Sequence, residues 1–352
     1  TGSNGKTTVK EMCAAILRAH YGEDAVLATA GNLNNDIGLP LTLLRLRPQH
    51  RAAVIEIGMN HPGETAELAV IAAPTVGLIN NAQREHQEFM KTVAAVAEEH
   101  AALLAALPPD GIAVINADDE YADVWRRAAA GRPLLGFGID GACEVHGRFY
   151  ERGLGGRLDI ATPLGTVVSA LELPGRHNAR NACAAVAATQ AAGAALESAE
   201  RGLSSFGGVR GRLQRKEGLH GALVIDDTYN ANPDSMRAAV DVLAALPGKR
   251  VFVIGDMGEV GDAGGQYHDE LGGYAKSMGL DRLLCLGELS PAAAHTFGEG
   301  GSHYSRLDDL IRALKPELDE RTTVLVKGSR FMRMERVVDA IAVTQNGEKN
   351  AA

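Results

Sequence analysis

Nowhere in the 352 residues does an apolar run approach the roughly 20 positions that a membrane-spanning helix requires. Cysteine is scarce: Cys13, Cys143, Cys183 and Cys285 lie far apart and form neither a CxxC pair nor a disulfide-like cluster, so a reducing cytoplasm fits best. Positive charge is also in deficit. With a net charge of -9 and a pI of about 5.7, long-range attraction to DNA or anionic lipid does not drive function, and any anionic ligand must be held locally. No secretory or transit signal, internal repeat or low-complexity tract is evident. What remains is 45% hydrophobic and 22% charged, the balance of an ordinary globular protein. The length predicts two or three domains, each able to bury its own core, and excludes a single small module.

Short Val- and Ile-rich runs alternate with longer Ala- and Leu-rich stretches, the pattern of strand and helix units around a largely parallel sheet. The first series predicts strands at 52–57, 76–79 and 112–115, with helices over 9–18 and 92–107. Between 143 and 173 shorter alternating segments broken by Gly153, Gly155, Gly156 and Gly165 predict a small antiparallel insert, and a helix over 178–192 follows. A second series restarts with strands at 222–225, 251–254, 283–286 and 324–326. The Gly-rich segment 207–211 precedes it and places a domain boundary near Arg212, giving domains 1–211 and 212–352. That segment reads as a hinge or as an ordinary surface connector.

The chain opens on Thr1-Gly2-Ser3-Asn4-Gly5-Lys6-Thr7-Thr8, the strongest local signal. Glycines let backbone N–H groups close around phosphate oxygens at a helix N-terminus, Lys6 adds positive charge toward the terminal phosphates, and the Thr7 hydroxyl suits a magnesium ion bridging them. A chain that starts inside such a motif, without methionine, reads as a fragment. Glu56 ends an apolar run, where open parallel sheets present ligand-binding groups, and is a candidate magnesium ligand. Arg84-Glu85-His86-Gln87-Glu88 follows another strand end and offers the His86 imidazole to a second metal ion. Asn178 and Asn181, three residues apart, share one helix face; their amides suit an adenine edge, while Asn178 serves equally as a helix cap. Asp226-Asp227-Thr228-Tyr229-Asn230-Ala231-Asn232-Pro233 sits at a further strand end ahead of a proline-started helix, and some of its polar residues are expected to be caps. Lys327-Gly328-Ser329-Arg330 forms either an anion-binding turn or a basic surface turn.

Taken in order, these segments resemble the Mur ligase family across essentially the whole chain. The opening loop, Gly31-Asn32-Leu33-Asn34-Asn35-Asp36-Ile37-Gly38, Glu56 and His177-Asn178 to Asn181 look like its central ATPase domain. Tyr229-Asn230-Ala231-Asn232-Pro233-Asp234-Ser235-Met236, Gly255-Asp256-Met257-Gly258-Glu259 and Lys327-Gly328-Ser329-Arg330 are similar to the branch whose acceptor is D-alanyl-D-alanine. The resemblance implies an α/β architecture: a P-loop ATPase domain with a mostly parallel sheet, plus a C-terminal Rossmann-like domain, with a preceding UDP-sugar-binding domain outside the sequence. It implies an ATP-dependent amide ligase that joins D-alanyl-D-alanine to UDP-N-acetylmuramoyl-tripeptide through an acyl phosphate, using Mg2+. Expected partners are these two substrates, with no nucleic acid and no membrane insertion, and a monomer is expected. By the same resemblance Gly2, Ser3, Asn4, Gly5, Lys6, Thr7 and Thr8 cradle ATP; Thr7, Glu56 and His86 hold metal; and Asn178 and Asn181 face the adenine side. Arg212 and Asp227 then reach ATP from the second domain, which makes closure part of catalysis, and Asn230, Asn232 and Ser329 serve the dipeptide. The alternatives are a folylpolyglutamate or single-amino-acid ligase of the same superfamily, against which residues 229–236 argue, and a phosphate-loop NTPase acting as a switch.

One departure stands out. Many family members carry, beyond the metal-binding histidine, a lysine modified by carbon dioxide to a carbamate that ligates magnesium. The corresponding position, fourteen residues beyond His86, is His100. Residues 96–101 contain no lysine, and Lys91 lies more than two helical turns earlier at about 3.6 residues per turn. The second metal position is therefore expected to be completed without a carbamate, by Glu99 or His100 ahead of Glu98, with water filling a vacant coordination position as the alternative.

Overall fold

The structure, a computed structural model, describes residues 1–343 and divides into two compact units, Thr1–Gly208 and from Val209 onward. Unit 1 contains strands β1 (Val26–Ala28), β2 (Ala52–Val54), β3 (Val76–Ile79), β4 (Ile112–Asn116), β5 (Leu134–Gly138), β6 (Val145–Arg152), β7 (Gly155–Thr162) and β8 (Gly165–Leu171). The six-stranded sheet runs β3-β4-β5-β6-β7-β8, parallel as far as β6 and antiparallel beyond it. Strands β1 and β2 form a separate parallel pair.

Side-chain pattern explains the change of direction. In β4, Ala113, Val114 and Ile115 are all fully buried, as a parallel strand covered on both faces must be. In β8, Val167, Ser169 and Leu171 are buried while Thr166, Val168 and Ala170 are exposed, the alternation of a sheet wet on one face. Strands β6 to β8 are the antiparallel segment expected from the sequence, but β6 pairs with β5, so they extend the main sheet rather than form a separate insert. Helices Lys6–Tyr21 and Arg176–Ala191 cover one face through Met12, Ile16, Ala182 and Val186 against Val114, Phe137 and Ile160. Helices Val93–Ala105 and Ala122–Ala128 cover the other, around Trp125, Leu104, Ile79 and Ile115.

Strand β2 stops at Val54, short of the expected 57. Its partner β1 ends at Ala28, and the backbone N–H of Glu56 then donates to the Thr29 hydroxyl at 3.0 Å instead of to a strand. The ladder has no continuation, and Glu56 leaves it to enter the site.

Unit 2 holds β9 (Gln214–Glu217), β10 (Leu223–Asp227), β11 (Lys249–Gly255), β12 (Arg282–Leu286), β13 (Gly301–Tyr304) and β14 (Thr322–Lys327) in the order β13-β12-β11-β14-β10-β9. Every neighbouring pair is parallel except β10 with β9. All six residues of β14 are buried, as its central position between β10 and β11 requires. The chain passes from β10 to β11 across β14, so the strand order switches there. Open α/β sheets bind ligands outside the carboxyl ends at such a point, where Asp227, Asp256 and Lys327 lie.

Candidate active site

In unit 1 the site grows from the loop that feeds helix Lys6–Tyr21. Gly5 is its N-cap, at φ +81, and no side chain caps the helix, so no capping carboxylate or hydroxyl offsets the positive end of its dipole, which suits an anion. The loop is braced by the polar turn that follows β3. Ser3 N–H donates to Asn81 O at 3.0 Å and Asn4 N–H to Asn81 Oδ1 at 2.8 Å. Asn80 Nδ2 donates to Asn4 O at 2.8 Å and to Asn181 Oδ1 at 2.9 Å, and Gln83 N–H donates to the Ser3 hydroxyl at 2.8 Å. Asn181 Nδ2 in turn donates to Asn178 Oδ1 at 3.2 Å, and Asn178 Nδ2 to Pro174 O at 2.8 Å. Asn178 is thus not the helix cap, a position held by Gly175. Both asparagines are buried; Asn181 ties the helix to the phosphate loop through Asn80, and Asn178 holds the Asn181 amide.

Glu56 is buried, and its Oε1 accepts from the Thr7 hydroxyl at 3.3 Å and from Asn34 Nδ2 at 2.8 Å. Its Oε2 is buried with no hydrogen-bond partner among the described residues. An ionised oxygen in that state is costly unless a cation meets it, so Thr7 and Glu56 fit a hard divalent ion such as Mg2+. Thr8 is buried in the first turn of the helix.

Lys6 turns back over its own loop, donating to Gly2 O at 2.6 Å and to Ser3 O at 3.3 Å, and pairs with Glu85 Oε2 at 3.3 Å. Glu85 is only 6% exposed. His100 Nε2 lies 3.1 Å from Glu85 Oε1, and His86 Nε2 lies 3.8 Å from Glu85 Oε2. Burial pushes the Glu85 carboxyl up, but the Lys6 ammonium, the His100 hydrogen bond and the neighbouring imidazoles more than offset it and hold the group at about 2. Burial lowers His100 against the pull of Glu85. A carboxylate has no proton to give, so the His100 Nε2 facing Glu85 carries one, and the Thr1 hydroxyl meets Nδ1 at 3.2 Å. His86 itself has φ +46, and Lys91, at the far end of the short helix Gln87–Met90, has φ +67. Non-glycine residues in that region cluster at functional turns.

The other carboxylates named for the carbamate position are differently placed. Glu99 accepts from the backbone N–H groups of Gly63 and Thr65, both at 2.8 Å, at the start of helix Glu64–Ala72. Glu98 is exposed, and Lys91 Nζ donates to Glu88 O in its own turn. Sequence reasoning missed the brace formed by Asn80, Asn81 and Gln83 and the central place of Glu85. The available signal was a polar run immediately after an apolar strand.

In unit 2, Asp227 ends β10 opposite Lys327 of β14. Lys327 Nζ donates to Asp227 Oδ2 at 2.6 Å and to Asn230 O at 2.9 Å, and Leu213 N–H donates to Asp227 Oδ1 at 3.1 Å. Burial raises the Asp227 carboxyl while Lys327 and Arg212 oppose the rise. The Arg212 guanidinium stacks 4.3 Å from the Tyr229 ring centroid. Asn232 caps helix Pro233–Ala244 in a reciprocal capping box with Ser235, so it is one of the expected caps. The Ser329 hydroxyl donates to Ala231 O at 3.2 Å and accepts from Gly258 N–H at 2.8 Å, joining the three segments 229–236, 255–259 and 327–330.

The Mur ligase middle domain model matches residues 1–189, and the Mur ligase, glutamate ligase domain model matches residues 211–330. The UDP-N-acetylmuramoyl-tripeptide--D-alanyl-D-alanine ligase of Escherichia coli (strain K12) is 42% identical over 345 residues, covering 97% of this chain and 75% of that protein. A crystal structure of MurF from Acinetobacter baumannii superposes with a TM-score of 0.90 at 34% identity, covering 96% of this chain and 74% of that one. MurF ligase from Thermotoga maritima, solved in complex with ADP, gives a TM-score of 0.85 at 26% identity, covering 96% and 77%. With both domain models matched in sequence order and a relative of this identity aligned along nearly the whole chain, the protein belongs to the Mur ligase family.

Proposed function

We propose that the protein is an ATP-dependent ligase that joins D-alanyl-D-alanine to UDP-N-acetylmuramoyl-tripeptide in peptidoglycan precursor synthesis. The observation that carries this reading is the 42% identity to a ligase of that name over 97% of the chain, on a phosphate loop whose helix carries no side-chain cap. In the proposed reaction the γ-phosphoryl group of ATP passes to the terminal carboxylate of the tripeptide, giving an acyl phosphate and ADP. The dipeptide amine attacks the acyl carbon, phosphate leaves, and the amine loses a proton as the amide forms.

Phosphoryl transfer is chiefly a matter of positioning and of neutralising charge. Gly2, Ser3, Asn4 and Gly5 are assigned to the phosphate loop, where Asn81 holds the Ser3 and Asn4 N–H groups, Lys6 supplies the ammonium, and Thr7 and Thr8 open the helix. Thr7 and Glu56 would hold Mg2+, which when bound screens the phosphate oxygens. Asn181 braces the loop through Asn80, Asn178 holds the Asn181 amide, and both are assigned to the adenine side. Arg212 and Asp227 are assigned to the nucleotide, and Asn230, Asn232 and Ser329 to the dipeptide. No helix among the described residues is long and apolar enough to cross a membrane, and nucleotide-linked substrates fit a cytoplasmic setting.

The test is phosphate release by the full-length protein given ATP and UDP-N-acetylmuramoyl-tripeptide. D-alanyl-D-alanine should support turnover, and single amino acids should not. Turnover driven as well by one amino acid, or by ATP with no amine, would replace the reading with another ligase or with an ATPase switch.

A further inference from the structure

We propose that Glu85, oriented by His100, is the anionic ligand that completes a second divalent-cation position beside His86, so that this protein needs no carbamylated lysine. The proposal rests on the ligase reading above and names a residue for it.

Glu85 is a buried carboxylate whose two oxygens do different things. Oε1 is fixed by His100 Nε2 at 3.1 Å, and Oε2 faces Lys6 Nζ at 3.3 Å and His86 Nε2 at 3.8 Å. A carboxylate buried to 6% exposure costs several kcal/mol of solvation unless cations repay it. Here the repaying cation is the phosphate-loop lysine, which triphosphate would draw away. Once Lys6 turns to the phosphates, Oε2 needs another positive partner, and a divalent ion shared with His86 and phosphate oxygens supplies one. Among the described residues no three His, Cys, Asp or Glu side chains form a ready-made metal cage. Magnesium seldom asks for one: it is commonly bound by one or two carboxylates, with substrate phosphates and water filling the remaining positions.

His100 acts as a positioning residue. It is fully buried in helix Val93–Ala105, and its Nδ1 meets the Thr1 hydroxyl at 3.2 Å, so the Nε2–H points at Glu85. Histidine–carboxylate pairs of this kind orient a metal ligand from behind. The competing groups are engaged elsewhere: Glu99 on the N–H groups of Gly63 and Thr65, and Lys91 on Glu88 O in an exposed turn. The turn also carries the positive φ of His86, in a region where non-glycine residues cluster at functional sites.

The experiment titrates the full-length protein with Mn2+ in the presence of adenylyl imidodiphosphate and no acceptor, reading bound Mn2+ by electron paramagnetic resonance. Wild type should bind two Mn2+ per nucleotide, and the count should not change when bicarbonate and carbon dioxide are removed. Glu85→Gln should keep one Mn2+ and the nucleotide but lose the second ion, and formate or acetate should restore it in Glu85→Ala. His100→Gln should weaken the second ion by about 10–100-fold, the range typical of lost outer partners, at unchanged nucleotide affinity. The proposal is overturned if wild type binds a single ion, if Glu85→Gln keeps both at wild-type affinity, or if bicarbonate depletion of wild type removes the second ion and restoration returns it. The wild-type arms hold even if a variant misfolds. Because no acceptor is present, a failed amine test would sink the ligase reading without altering the ion count.

Discussion

Replacing Gly5 by alanine puts a methyl group where the phosphate loop has no room. A Cβ at Gly5 would lie 2.6 Å from both Asn181 Oδ1 and Asn80 Nδ2, atoms hydrogen-bonded to each other at 2.9 Å. Holding alanine at φ +81 costs about 1–2 kcal/mol. Parting the buried amide pair leaves a donor and an acceptor unsatisfied, for a further ~1–3 kcal/mol. The expected destabilisation is therefore roughly 2–5 kcal/mol. Gly193→Ala is the matched control: Gly193 has φ +86 in the same unit, with nothing within 4 Å of the added atom, so it bears the backbone cost alone. Urea unfolding followed by the fluorescence of Trp125, the single tryptophan and fully buried in unit 1, reports on the relevant core. With a urea slope of about 2–3 kcal/mol/M, the steric part moves the Gly5→Ala midpoint roughly 0.3–1.5 M below that of Gly193→Ala. ATP affinity should fall in the first variant and hold in the second. Equal midpoints together with intact ATP affinity would refute the close approach of Gly5 to the two amides.

Lys6→Ala should abolish ligation, because phosphate positioning and local positive charge are lost together; near-normal phosphate release would remove Lys6 from the site. Asn230→Ala should raise the KM for D-alanyl-D-alanine more than that for ATP, with stability unchanged, and equal effects on both would indicate a general defect instead. Asn232→Ala should in addition lower stability by about 1 kcal/mol, since it deletes the capping box of helix Pro233–Ala244; an unchanged unfolding midpoint would show the cap to be idle. The Glu85 carboxyl, moved from an ordinary 4.5 down to about 2, contributes stability that is fully present above pH 4.5 and is lost as pH falls toward 2. The contribution is on the order of 3 kcal/mol, so acid unfolding of Glu85→Gln between pH 4.5 and 2 should be correspondingly shallower than that of wild type. Parallel acid curves would show that Glu85 is not held ionised.

The readable parts of the sequence were those in which one physical requirement governs a contiguous stretch. A glycine-rich turn before a helix, buried Val and Ile runs such as 112–115, and the alternation of Val167, Ser169 and Leu171 each carry their own structural signal. Asn232 before Pro233 likewise announces a cap. Contacts between distant segments leave no such local mark. Asn80 and Asn181 meet across 101 positions and Glu85 and His100 across 15, so their partnership depends on how β3 and the two helices pack. The early end of β2 has the same origin: residues 55–57 are apolar enough for a strand, but the neighbour that would pair with them has already ended. Glu99 looked suited to metal by residue type, and only the position of the helix starting at Glu64 shows it occupied with backbone N–H groups.

The bracing of the phosphate loop by Asn80, Asn81, Gln83 and Asn181 bears on how quickly nucleotide is captured. A loop tied at Ser3, Asn4 and its own helix has little conformational freedom left to surrender when a triphosphate arrives. Encounter then limits association, and differences in affinity among loosened variants should arise as the brace lets bound nucleotide escape sooner.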